Sequence, residues 1–446
     1  MNDSSALKRS PAQDRRGGSS LRAILPVSIV ALLASPAAAA ETSAEPPPAP
    51  VAAAPEARPL LRGDGWSIGA YGEVLASTRF FHPDPKKTSS YRQTDIDLAR
   101  LSFFVDASIA DWISFSSEIE IEHGGTGATK EIEWEEFGEY ETEVEKGGEV
   151  QIEQAYLEAR LSRNVALRAG HLIVPVGMTS VYHLPDMFSS TRRPEAEAHL
   201  IPLVWHETGA EVAVRGGSFG LRLQVMTGLD SSGFSSQEWI AGGTQQVFEK
   251  ALLNDVGVAL SVEYTGIPGT LIGAAGYTSN TTHNRPKREL DDLDARIFLG
   301  DVILRGQYGP LRVRGLAMLG TLGNADEITT ANARLSNNLG VPRTPVGRAA
   351  YAFFAEAAFD VLSPLGVSTR QRLDVFVRYD AYDSMWKPPA ELDNPLLQRR
   401  VLTAGFNYFP HPRVVLKAEY LSRWINQNSS WDLRQDEVNA ALGFLL

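Results

Sequence analysis

The sequence has no cysteine among its 446 residues. Neither a disulfide framework nor a thiolate metal site is available, and stability has to come from packing and hydrogen bonding. Beyond the first forty residues it also lacks any run of about 18 apolar residues, which excludes helical membrane spans. A transmembrane barrel is not excluded, because its strands carry their hydrophobicity on every second residue. Basic charge is in deficit: the formal net charge is −12, which argues against nucleic acid as a partner. There is no HExxH, Gly-rich phosphate loop, GxSxG elbow or Ser-His-Asp arrangement with supporting context. No catalytic residue, cofactor or metal is assigned on that basis.

What is present begins with a targeting segment. Residues 1–40 combine a basic stretch (Lys8, Arg9, Arg15, Arg16, Arg22), an apolar run at 23–33 and the small-residue site Ala38-Ala39-Ala40, the pattern of a secretory signal peptide. Without it the balance is 37 Lys+Arg against 52 Asp+Glu, a net of −15. Residues 41–60 are rich in Pro and Ala and read as a flexible lead-in that buries no core. The folded unit is then 61–446.

From Trp66 the chain alternates. Ile68, Ala70, Val74 and Ala76 oppose Ser67, Tyr71, Glu73 and Ser77; Leu101, Phe103 and Val105 oppose Arg100, Ser102 and Asp106; Ile119 and Ile121 oppose Glu118 and Glu120. This is the period of strands with one apolar face. The same rule predicts further strands at 151–161, 165–172, 207–215, 219–228, 254–264, 270–277, 295–308, 311–322, 348–361, 372–382, 400–409, 413–424 and 434–446. With the first three the total is sixteen. Links of two or three residues (162–164, 216–218, 309–310, 410–412) alternate with long ones (123–150, 229–253, 279–294, 323–347), the pattern of an up-and-down transmembrane barrel. The fold class is all-β, a sixteen-stranded antiparallel transmembrane β-barrel. Aromatics near strand ends, including Trp66, Phe80, Phe81, Trp112, Tyr308, Phe409 and Trp424, suggest interfacial girdles.

One stretch breaks the pattern. Between the strands ending near Leu172 and starting near Glu207 lie about thirty residues rich in Pro, His, Arg and Trp, longer than an ordinary connection and therefore a functional candidate. The residues AGHLIVPVGM (169–178) and STRRPEAEAHLIPLVWHETGAEV (190–212) resemble the phosphate-selective porin (O and P type) family of outer-membrane proteins over residues 155–215. The resemblance implies a porin-like barrel in the bacterial outer membrane whose loop 174–206 folds inward as a constriction. It implies a passive diffusion channel for small hydrophilic solutes or ions, in contact with outer-membrane lipids and assembled as a homotrimer. Two departures stand out. Barrels of this kind usually end in an aromatic residue, where this chain ends in Leu446, and no lysine cluster accompanies the arginines. Phosphate selectivity is therefore not carried over with the fold.

Taking the polar face of each strand and the long segment together, the constriction and pore-lining candidates are Arg100, Glu118, Glu120, Arg160, Arg168, Arg192, Arg193, Glu195, Glu197, Glu211, Arg215, Arg222 and Arg378. Acids slightly outnumber bases along the predicted inner face, which predicts a weakly cation-preferring or unselective pore. Arg192 and Arg193 are expected to pair with Glu195 and Glu197 to hold the loop's shape. An anion site at the two arginines is the other reading. His171, His183, His199 and His206 lack metal-site spacing and read as loop hydrogen-bonding groups. Residues 131–149 hold nine Glu and one Lys, the composition of a solvated outer loop; collecting divalent cations, or bridging through them to lipid phosphates, is the other reading. Alternatives of other classes are a plugged barrel acting as an adhesin or structural anchor, an outer-membrane hydrolase, and a soluble exported β-protein.

Overall fold

The computed structural model describes residues 60–81, 91–124, 131–133, 141–143, 149–246, 250–284, 290, 292–334, 344–366, 371–390 and 392–446. The signal peptide, the lead-in up to residue 59 and most of the acidic segment 131–149 lie outside the described residues.

Sixteen strands form one closed antiparallel ring. They are β1 (Trp66–Phe81), β2 (Tyr91–Ala110), β3 (Ile113–Glu122), β4 (Glu149–Arg160), β5 (Val165–Ile173), β6 (His206–Gly216), β7 (Phe219–Thr227) and β8 (Val256–Tyr264). Then follow β9 (Thr270–Asn280), β10 (Arg296–Tyr308), β11 (Leu311–Leu322), β12 (Ala349–Asp360), β13 (Arg372–Lys387), β14 (Gln398–His411), β15 (Val414–Gln427) and β16 (Ser430–Leu445). Each strand pairs with its neighbours in sequence, and β16 returns onto β1 with Val438 opposite Thr78 and Leu442 opposite Val74. Closure leaves no unpaired edge, the condition for a sheet to sit in hydrocarbon. Two α-helices among the described residues belong to connections, α1 (Glu195–Ala198) and α2 (Ala325–Asn332). None of the described helices is long and apolar enough to cross a membrane.

The predicted strand set and the even count hold, and short turns alternate with long links except between β15 and β16, which two residues join on the long-loop rim. The β10–β11 turn is Gly309-Pro310, with Gly309 at φ 58°. At the other rim Asn428 and Ser429 both take positive φ, the backbone of a two-residue type I′ hairpin turn.

The faces are inverted relative to a water-soluble sheet. Outward residues are large and apolar, such as Val225, Val302, Phe353, Val377, Phe406 and Val438, all exposed. Their inward neighbours Gln224, Asp301, Glu356, Arg378, Asn407 and Asn439 are buried. Two expected girdle residues are corrected: Phe81 and Phe409 are buried, the latter under the Arg372 guanidinium at 3.6 Å from its ring centre. In each the side chain falls on the inward phase of its strand.

Candidate functional site

The connection from β5 to β6 is the long segment singled out above. Pro175, Pro185, Pro194 and Pro202 interrupt it, removing backbone donors and fixing φ, so it has neither ladder nor long helix. Its neck is closed by the Val174 N–H donating to the Trp205 carbonyl at 2.8 Å. Gly177 sits at φ 79°, and a Cβ there would meet Glu197 Oε1 at 2.3 Å, so only glycine fits the close approach.

One side of the segment is apolar. Val174, Val176, Met178, Leu200, Ile201 and Trp205 are buried in one cluster with inward residues of the wall, among them Leu299, Ile303, Leu316, Met318 and Phe354. The other links reach into the same cluster through Phe234, Trp239, Ile240, Ile328 and Val346. Trp239 Nε1 donates to the Gly347 carbonyl at 2.9 Å, satisfying the one polar group of a fully buried indole.

Its polar groups bond to inward side chains on eight strands. The Gly177 N–H donates to Asp301 on β10 (2.9 Å) and the Tyr182 hydroxyl to Glu263 on β8 (3.2 Å). Ser189 donates to Glu356 on β12 (2.7 Å), and Thr191 donates to Glu419 on β15 from both its N–H and its hydroxyl (2.8 and 2.6 Å). Lys417 Nζ caps the carbonyls of Phe188 and Ser190 (3.0 and 2.9 Å). On β13 the Tyr382 hydroxyl donates to Glu195 (2.9 Å), which also sits in the fork of Arg423. His183 Nε2 lies 3.2 Å from Glu118 on β3, and Arg192 approaches Ser77 on β1 (3.4 Å) and Glu437 on β16 (3.9 Å).

Two carboxyl groups of the segment titrate oppositely. Burial pushes Glu195 up, but the Arg423 guanidinium outweighs it and holds the group well below the usual carboxylate range. Glu197 has no cation beside it: burial pushes it up to about 7, with nearby Asp301 adding to the rise and a 2.8 Å bond from the Thr179 N–H opposing it. Its Oε2 is buried without a partner, as suits a neutral carboxyl.

The wall candidates form ion-pair chains. Arg100 donates to Glu73 at 2.6 Å and lies 3.8 Å from Glu120, which also accepts from Tyr71 and Ser102. Arg168 bridges Glu158 and Glu211, both at 2.9 Å, and Arg222 closes on Glu211 at 2.8 Å. Arg378 is fully buried against Asp380 (2.8 Å) and reaches Ser190 of the segment. Arg215 and Arg160 lie near the short-turn rim, Arg160 with an exposed guanidinium 3.1 Å from Glu158.

The expected pairing of Arg192 and Arg193 with Glu195 and Glu197 does not form. Glu195 is taken by Arg423 and Glu197 by the Thr179 N–H, while Nε and Nη2 of Arg193 are buried with no hydrogen-bond partner. The histidines do not gather either: His171 and His206 pair at 2.5 Å, His199 stacks on Tyr382, and His183 goes to Glu118. Lys417 and Arg423 share a face with Glu419 by period two, a signal present in the sequence, whereas Glu153 is hidden from that period by a β-bulge between β3 and β4.

Gaps between segment and wall are small on one side. Two, one beside Tyr182 and Glu263 and the other beside Tyr156 and Arg168, measure ≈ 20 Å³ each, about one water. A recess of ≈ 560 Å³ over Gly315, Ala317, Ala355 and Ala357 is lined mainly by apolar residues, with Arg314 and Glu356 also on its border.

No family model matches the chain. It is 29% identical over 370 residues to a protein of Aquifex aeolicus (strain VF5) described as an uncharacterized protein, a match spanning 80% of this chain and 75% of the relative. Among solved structures it is similar to Salmonella typhi OmpF in complex with daunomycin, with TM-score 0.51, 12% identity and coverage of 86% of this chain and 99% of that one. It is similar also to the outer membrane channel DcaP of Acinetobacter baumannii, with TM-score 0.50, 11% identity and coverage of 86% and 98%. Identity this low establishes likeness of fold, and the fold is a porin-like sixteen-stranded barrel.

Proposed function

We propose that this chain is an outer-membrane porin, exported through its first forty residues, and that small hydrophilic solutes or ions cross it passively. The observation that carries the reading is the inverted wall: exposed Val, Leu and Phe outside, buried Arg, Glu, Asp and Asn inside. Such a wall faces hydrocarbon on one side and polar contents on the other. Sixteen strands leave room for an aqueous channel where about eight would be filled by side chains.

The segment 174–205 is the constriction in this reading. Its bonds to eight strands support it, since a loop tied to inward side chains all round the ring must narrow the path. Arg100, Glu118, Glu120, Arg168, Glu211, Arg222 and Arg378 line the wall; Arg192, Arg193, Glu195 and Glu197 belong to the constriction; Arg160 and Arg215 mark the short-turn rim. The homotrimer implied by the family resemblance is part of the same proposal, tested by migration of the unboiled protein on a denaturing gel.

The test is single-channel recording of detergent-refolded protein in a planar bilayer, with the reversal potential taken under a KCl gradient and again with phosphate added. Stable steps with weak cation preference and no block by phosphate support the proposal. Clear anion selectivity with phosphate block would overturn the charge reading and restore phosphate selectivity to the resemblance. A second reading, a plugged barrel acting as an adhesin or anchor, is favoured by the apolar cluster inside the ring and the one-water gaps beside it. A folded barrel that passes no current would select it.

A further inference from the structure

We propose that Glu118, Glu153 and His183 form a binding site for a divalent transition-metal ion that ties the β5–β6 segment to the wall at β3 and β4. One ligand atom from each lies within 4.8 Å of the other two, and all three residues are buried. His183 Nε2 is 3.2 Å from Glu118 Oε1 and 3.9 Å from Glu153 Oε2. An ion held at about 2.0–2.1 Å by each of three donors sets them roughly 3.4 Å apart in tetrahedral geometry. The two distances from His183 bracket that value.

Three features prepare these atoms for a cation. His183 Nδ1 lies 3.1 Å from the Ser180 carbonyl, an acceptor that fixes the Nδ1–H tautomer and leaves the Nε2 lone pair facing the carboxylates; such a second-shell bond is the usual companion of a metal-bound imidazole. Glu153 is 2% exposed, yet its Oε2 has no hydrogen-bond partner. A buried carboxylate oxygen left without a partner is costly.

The third feature is backbone. The β3–β4 ladder slips between Glu118 and Ile119, which pair with Gln154 and Ile152 and leave Glu153 as the extra residue. Counting back by twos from Glu158 and Tyr156 would put Glu153 outward. The bulge turns it inward instead, and bulges are a common means of re-aiming a side chain at a site.

The surrounding charge is also unbalanced. Four buried carboxylates, Glu73, Glu118, Glu120 and Glu153, share one arginine, Arg100, which donates to Glu73 at 2.6 Å and lies 3.8 Å from Glu120. A divalent ion supplies the missing positive charge. Two carboxylates and one imidazole favour Zn²⁺ or a similar first-row ion over Ca²⁺ or Mg²⁺, which take oxygen ligands. Glu118 and Glu153 belong to the wall and His183 to the segment, so the ion would clip one to the other.

The experiment titrates full-length refolded protein, stripped with EDTA, with ZnCl₂ in detergent by calorimetry, and takes zinc X-ray absorption of the loaded sample. Folding of each variant is checked by the mobility shift between unboiled and boiled samples. Expected is one saturable site per chain with one imidazole and otherwise oxygen ligands. Glu153→Gln and His183→Gln should each weaken it at least about tenfold, the loss that removing even an outer-shell partner produces. Asp106→Asn, a wall carboxylate outside the cluster, should leave it unchanged. Absence of saturable binding to the folded barrel overturns the proposal. So does binding equal in wild type and Glu153→Gln, which would assign the metal to the glutamates of 131–149. Binding is read without current, so the site stands or falls independently of the channel reading.

Discussion

The inner wall has two characters. Between Phe81 and Ala166, which takes in β2, β3 and β4, no described hydrophobic residue is buried; the buried positions are Arg100, Ser102, Glu118, Glu120, Glu153 and Glu158. From β9 to β12 the long-loop half of the wall is buried and apolar, with Tyr277, Ile297, Leu299, Ile303, Leu316, Met318 and Phe354 joined to Trp205, Trp239 and Ile328 from the connections. The first region is a charged surface held by ion pairs. The second is a packed core of the ordinary kind, built inside a barrel. The long loop is thus anchored to the wall in two ways: hydrophobic burial fixes it on one side, and bonds to charged side chains steer it on the other.

The packed side should be the more fragile to truncation. Trp205→Ala empties a fully buried site and should cost about 4 kcal/mol, read by chemical denaturation in micelles together with new protease cuts in 174–205. A loss under about 1 kcal/mol would mean the apolar cluster does not hold the segment.

Next comes pH. Glu197 titrates at about 7 in the folded chain against an ordinary 4.5, so folding takes up a proton between those values. Its contribution is fully present below about pH 4.5 and is lost as pH rises through about 7, a change of up to about 3 kcal/mol. Protease resistance of the segment should fall over that window, and Glu197→Gln should make the fall shallower. A pH profile unchanged by that substitution would refute the assignment.

On the steering side the effects are smaller. Thr191→Val removes a hydroxyl donor to buried Glu419 and should cost about 2 kcal/mol, visible as faster hydrogen exchange in the segment with the barrel's melting little altered. Smallest is Arg160→Ala. Its exposed pair with Glu158 is worth within about 0.5 kcal/mol, because Glu158 keeps Arg168. Unfolding curves of mutant and wild type should superimpose.

The strands were legible because period two is a local property: Val438 and Leu442 point outward and Glu437 and Asn439 inward by alternation alone. The segment was legible by its length and prolines. Its partners were not, since Thr191 with Glu419 or Gly177 with Asp301 joins residues more than a hundred positions apart. The interior core left a trace that polar-inside reasoning discounted: around Leu316-Ala317-Met318-Leu319 both faces of the strand are apolar, the mark of a strand buried on both sides. Glu153 left none, because a one-residue slip in register has no signature in composition.

Removing a segment that narrows a conducting barrel should widen the path. The most direct measurement is single-channel conductance of wild type beside a variant in which 178–203 is replaced by a short Gly-Ser linker, both shown to be folded by their heat-shifted mobility. Stable wild-type steps and a several-fold larger conductance in the variant are predicted. Equal conductance in the two, or no current through either, would contradict it.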